Sequence, residues 1–203
     1  SDEVIVPSLT FCATANVVEH CGGTTKFADV DPETLLLTPE NFEKAITPKT
    51  KVVMPVHYAG HPVDMEAINE IARKKNIKVV EDAAHCMPSK IGDKYVGSSD
   101  NFTTFSFYAT KNMTTGEGGM LTGPVELMDE AKMLALHGMS RDAWDRFKPG
   151  AKWEYDVPQP GFKYNMPEIM GALGLVQLQR LNELYENRMK LVRVYDQFLD
   201  RKS

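Results

Sequence analysis

The sequence predicts an α/β fold: three layers, with a mostly parallel sheet between helices. Two observations carry this. Short apolar runs (residues 4–6, 52–56, 77–80 and 102–107) alternate with segments of helical period, the pattern of successive βαβ units. The helical segments are apolar on one face, as Met65, Ile68 and Ile71 show, so each has one side to bury against a sheet.

Residues 4–6 read as the first strand. Residues 11–19 read as a helix, ended by Cys21-Gly22-Gly23 because glycine accepts the left-handed conformation past a helix. Residues 25–30 are the second strand, and 31–34 a turn. Thr38 and Pro39 start a helix to about residue 46: a hydroxyl N-cap, then proline at the first helical position. Residues 52–56 read as a third strand, interrupted by Pro55, which either demotes it or lies away from a ladder partner. A helix at 64–75 leads to a fourth strand at 77–80, which runs into Glu81-Asp82. Residues 102–107 are the fifth strand, 118–121 a short further one, and 127–137 a helix.

Residues 141–160 hold both tryptophans and show no period; they read as a long excursion of the kind that often carries function. Residues 167–199 read as one long helix, with Gly171 and Gly174 admitting the close approach of another element. Both ends read as cut, so the expected division is a large domain over 1–165, lacking its N-terminal segment, and a helix over 166–203 leading toward an absent small domain.

The 203 residues suit one α/β domain with a full core. Hydrophobic residues are 42% and charged residues 25%, a soluble globular balance. No apolar run approaches bilayer-spanning length, and a net charge of -5 disfavours a nucleic-acid partner. Cys12, Cys21 and Cys86 lack metal-type pairing and read as reduced, small buried hydrophobes in a cytoplasmic protein. His57 and His61 are four apart, but Pro62 follows at once and removes the shared helical face a metal would need. No nucleophile elbow, P-loop or dinucleotide fingerprint occurs.

The candidate chemistry gathers at strand ends. Lys111 follows an apolar strand rich in phenylalanine and precedes Gly116-Glu117-Gly118-Gly119. A lone lysine is usually a solvated surface group. One held partly out of water loses its proton more readily, and its amine becomes a nucleophile toward an aldehyde. Lys111 is therefore a candidate Schiff-base lysine, which would make pyridoxal phosphate (PLP) the cofactor. Asp82, at the end of a β-branched strand, reads either as an N-cap for the next helix or as the carboxylate that keeps a PLP ring nitrogen protonated. His85 reads as a satisfied histidine or as a contact to the PLP phenolic oxygen. Ser106 alternates with Phe105 and Phe107, so it could face a cofactor phosphate or bond to backbone. The glycine turn could cradle a phosphate or simply turn tightly.

Pro7-Ser-Leu-Thr-Phe11, Pro55-Val-His-Tyr-Ala-Gly60, Glu81-Asp-Ala-Ala-His85, Phe105-Ser-Phe-Tyr-Ala-Thr-Lys111-Asn, Gly116-Glu-Gly-Gly119, His137-Gly-Met139 and Gly161-Phe-Lys-Tyr-Asn165 together resemble the sugar aminotransferases of the DegT/DnrJ/EryC1/StrS family. These are PLP-dependent transferases of the aspartate aminotransferase-like fold (fold type I). The resemblance implies that Lys111 carries PLP and later moves a proton between cofactor and substrate. Asp82 then partners the ring nitrogen, His85 lies near the phenolic oxygen, Ser106 binds the phosphate and Phe11 packs on the ring. Asn165 reaches the phosphate in the neighbouring subunit, which implies a homodimer with shared sites. It also implies a nucleotide-linked keto sugar as acceptor and glutamate as amino donor. The phosphate-binding helix start of the family lies upstream of residue 1, so the resemblance covers roughly the middle half of a member. A branch with histidine at the lysine position is a dehydratase; Lys111 points to the aminotransferase branch. The competing readings are a non-catalytic regulator or scaffold of the same fold, or a truncated, inactive fragment.

Overall fold

The computed structural model describes residues 1–140 and 155–199. Six strands form one sheet: β1 (Glu3–Pro7), β2 (Thr24–Ala28), β3 (Thr50–Val53), β4 (Lys78–Asp82), β7 (Phe102–Ser106) and β8 (Gly119–Thr122), in the order β2-β1-β3-β4-β7-β8. All neighbours are parallel except β7 and β8, which pair antiparallel with Ser106 opposite Gly119. The chain runs from β1 outward to β2, then returns past β1 to β3 and on to β4. The strand order therefore reverses beside β1, and open α/β sheets bind ligands at such a reversal, past the carboxyl ends of the strands.

Helices α1 (Cys12–His20), α2 (Pro39–Ala45), α3 (Met65–Lys75) and α4 (Val125–Ala135) connect or follow the strands. The caps follow local chemistry. Thr38 Oγ1 accepts the Asn41 N–H at 3.2 Å, and Asp64 Oδ1 accepts the Ala67 N–H at 3.2 Å. Asn76 closes α3 in the left-handed conformation, which asparagine tolerates better than most residues. The main core joins Ile5 and Val53 from the sheet with Phe42 from α2 and Ile68 from α3. A second cluster, around Phe105, Phe107, Cys86 and Met113, underlies the other half of the sheet and takes in Leu181.

Three expectations change. The single helix over 167–199 is two: α5 (Glu168–Gln179) and α6 (Leu181–Phe198), joined at Arg180. The Arg180 N–H bonds to both Val176 O and Gln177 O, a tightened last turn, and Leu181 then buries in the second cluster. Of the two glycines, only Gly174 sits close to another element: a Cβ there would lie 3.2 Å from Thr115 Cγ2, whereas Gly171 faces open space. Of the cysteines, only Cys86 is buried. A small hairpin, β5 (Lys90–Ile91) and β6 (Lys94–Tyr95), was not anticipated. It turns at Gly92-Asp93 with Gly92 at φ 59°, a dipeptide suited to that geometry. The expected excursion over 141–160 falls mostly outside the described residues.

Candidate active site

Beyond the carboxyl ends of β1, β4 and β7 lies a cleft of about 600 Å³. Phe11, Asp82, His85, Ser106 and Lys111 all line it. Each arrives by a different local route. Pro7 ends β1, and the chain then turns into α1 with Phe11 as the extended N-cap. Phe11 is 76% exposed and stands at the cleft.

Asp82 is the last residue of β4, and both its oxygens are occupied. Oδ2 accepts the Thr14 hydroxyl at 2.9 Å, and Oδ1 accepts the Ala84 N–H at 3.1 Å. The Ala84 bond makes Asp82 the head of an Asx turn, and no helix follows it, so it caps none. His85 ends the next turn; its Nδ1 accepts the Ala59 N–H at 3.3 Å, which leaves Nε2 to carry the ring proton. Partial burial, then the nearby Lys111 charge, push the His85 pKa down, against an upward pull from Asp82. The neutral ring is the favoured form.

Lys111 stands on a loop between β7 and β8 that is tied back on itself. The Phe107 N–H donates to Gly118 O at 2.8 Å, and the Thr115 N–H donates to Phe107 O at 2.9 Å. The Lys111 N–H donates to Tyr108 O at 2.9 Å, forming the turn at which the lysine sits. Its side chain is half-buried, and Nζ has no hydrogen-bond or ion-pair partner among the described residues. Gly118 makes the loop possible: its φ is 147°, and a Cβ would lie 2.6 Å from Thr115 Oγ1. Ser106 turns away from buried Phe105 and Phe107, as alternation predicts, and its Oγ accepts the Tyr108 N–H at 3.4 Å. Asn165 is not in the cleft; it precedes α5, where the Lys163 ammonium donates to its Oδ1.

The chain matches the family model of the DegT/DnrJ/EryC1/StrS aminotransferases over residues 1–202. It belongs to that family. Spore coat polysaccharide biosynthesis protein SpsC of Bacillus subtilis is 47% identical over 96% of the chain and 50% of its own length. Among solved structures, Spr1654 of Streptococcus pneumoniae, assigned as a sugar aminotransferase, aligns in its PMP-form with a TM-score of 0.88 at 38% identity, over 97% of this chain and 54% of its own. The same protein is also known in a PLP-form. Helicobacter pylori PseC, an aminotransferase in pseudoaminic acid biosynthesis, aligns with a TM-score of 0.89 at 31% identity, over 98% and 52%. The chain spans about half the length of the curated relatives it matches.

Sequence reasoning missed the polar support beneath this family member's cleft. His57 is fully buried, and its Nδ1 accepts the Val63 N–H at 3.0 Å. Nε2 must therefore hold the proton, which it donates to Glu81 Oε2 at 2.9 Å. Glu81 Oε1 takes the Asn101 amide at 2.7 Å and the Ser99 hydroxyl at 2.9 Å. The His57 backbone N–H donates to Asp82 O at 3.0 Å, so this network braces the backbone of Asp82. A buried polar pair leaves no periodic signal in a sequence. Only the acidic doublet Glu81-Asp82 at the end of an apolar strand hinted at it.

Proposed function

We propose that the protein is a PLP-dependent aminotransferase that moves an amino group from glutamate to a keto-deoxy sugar carried on a nucleotide. The observation that supports it most is the convergence of Asp82, Lys111 and an exposed Phe11 on one cleft. The cleft suits the cofactor: an anchored carboxylate, an amine without a hydrogen-bond or ion-pair partner among the described residues, an exposed aromatic residue and a mainly apolar lining. PLP when bound supplies an electron sink, because its protonated ring nitrogen draws charge from the carbon being deprotonated. Asp82 keeps the proton at that nitrogen. Phe11, at the cleft, would pack on the ring and shield it from water. His85 presents Nε2–H as a donor to the phenolic oxygen, and Ser106 offers its hydroxyl to the phosphate. Lys111 would hold the cofactor through Nζ and would supply the amine that moves a proton at the substrate carbon.

The same reading makes residues 1–165 the cofactor domain and 166–203 the link to a further domain. It carries Asn165 to the phosphate of a partner subunit in a homodimer. Names among the relatives support a sugar acceptor, since SpsC belongs to polysaccharide biosynthesis and PseC to pseudoaminic acid biosynthesis. Among the described residues no helix is long and apolar enough to cross a membrane. A cytoplasmic setting belongs to the proposal and is supported by three unpaired cysteines.

Titration of the purified protein with PLP tests it. A saturable visible absorption band is expected, with a borohydride-trapped adduct that mass spectrometry places on Lys111. Lys111→Ala should lose both. Survival of band and turnover in that variant overturns the assignment, and a wild-type protein with no saturable band points to a scaffold.

A further inference from the structure

Thr14 has no role in the proposed chemistry, yet its side chain is placed with care. It lies in the first turn of α1 and is 2% exposed. Its Oγ1–H donates to Asp82 Oδ2 at 2.9 Å, across 68 residues of sequence. A hydroxyl has one proton, and here it is committed to the carboxylate. The second contact of Thr14 Oγ1, 2.7 Å from Thr10 Oγ1, is therefore an accepted bond with Thr10 as donor. The result is a one-way chain, Thr10 to Thr14 to Asp82, in which each bond polarises the next.

We propose that Thr14, backed by Thr10, is a positioning residue that fixes the Asp82 carboxylate for the ring nitrogen of PLP. The proposal rests on the PLP reading. Its physical basis is the softness of the aspartate terminal torsion, which is broad and nearly two-fold. The Ala84 N–H alone holds one oxygen and leaves the carboxylate plane free to swing. The Thr14 hydroxyl holds the other oxygen and sets the plane. Each oxygen keeps lone-pair capacity for one more donor. One short stretch thus serves the cleft twice: Phe11 stands exposed at its mouth while Thr14 stays buried against the carboxylate.

The test compares Thr14→Val, which keeps shape and removes the hydroxyl, with Thr14→Ser, which keeps the hydroxyl. Losing one hydrogen bond to a charged group should weaken PLP binding about tenfold in Thr14→Val, and Thr14→Ser should bind near the wild-type affinity. The penalty should vanish with the carbocyclic PLP analogue that has CH in place of the ring nitrogen. A purely structural threonine would penalise both ligands alike. Wild-type affinity in Thr14→Val, or an equal penalty for the analogue, overturns the inference and leaves the PLP reading intact. Absence of a saturable band in the wild type overturns both. If Thr14→Val does not fold, Thr10→Val decides: about twofold to threefold weaker PLP is expected from the lost polarisation, and no change overturns the proposal.

Discussion

Replacing Glu81 by glutamine exchanges one carboxylate oxygen for an amide nitrogen and turns one hydrogen bond into a donor–donor clash. The new side chain can keep its oxygen toward Ser99 and Asn101, which puts its amide nitrogen where Oε2 was, facing the His57 Nε2–H. Two donors then face each other in a site where Glu81 is 2% and His57 0% exposed. His57 cannot escape by moving its proton, because Nδ1 would then point an N–H at the Val63 N–H. Each orphaned buried donor costs about 1–3 kcal/mol. Adding the lost charge assistance of the Glu81 carboxylate gives about 3–5 kcal/mol. Urea unfolding followed by circular dichroism should show that loss as a lower midpoint at unchanged slope. A Glu81→Gln variant within about 1 kcal/mol of wild type would refute the argument, since the donor clash is worth more than that. The pH dependence gives a second check. Burial pushes the Glu81 carboxyl up, but the bonds from His57, Asn101 and Ser99 outweigh it and hold the pKa below 4.5. A depressed folded pKa stabilises above the unfolded value and loses that stabilisation as pH falls through the folded one. The gap between wild type and Glu81→Gln should therefore be full above 4.5 and shrink below it.

Two further outcomes are expected. Burial pushes the Cys86 thiol up to about 11, while Cys12 and Cys21 are exposed. Thiol labelling of the native protein at mild alkaline pH should modify Cys12 and Cys21 and spare Cys86; rapid labelling of Cys86 would contradict its burial. Gly118→Ala should lose about 3 kcal/mol of stability from backbone strain and overpacking, because φ is 147° and the new methyl meets Thr115 Oγ1 and Met166 Cε. A neutral effect in urea unfolding would show that the lysine loop relaxes freely.

Most strands and helices were legible because their signals are local. Thr38-Pro39 announced α2, and apolar runs announced β1, β4 and β7. The break at Arg180 was not legible, because an unbroken helical period runs through it; burial of Leu181 in a distant cluster accompanies the turn there. Gly171 and Gly174 look alike in sequence, and only the nearness of Thr115 separates them.

Residue order along the chain was enough for the fold class, the family and five residues that share a cleft, since strand-end residues in a parallel sheet fall on one edge. Tertiary structure alone decided what supports them. The Thr14–Asp82 bond spans 68 residues and the His57–Glu81 bond 24. Hydrogen bonds of that reach depend on strand order and on the direction in which each side chain turns, and neither is written in the spacing of residues along the chain.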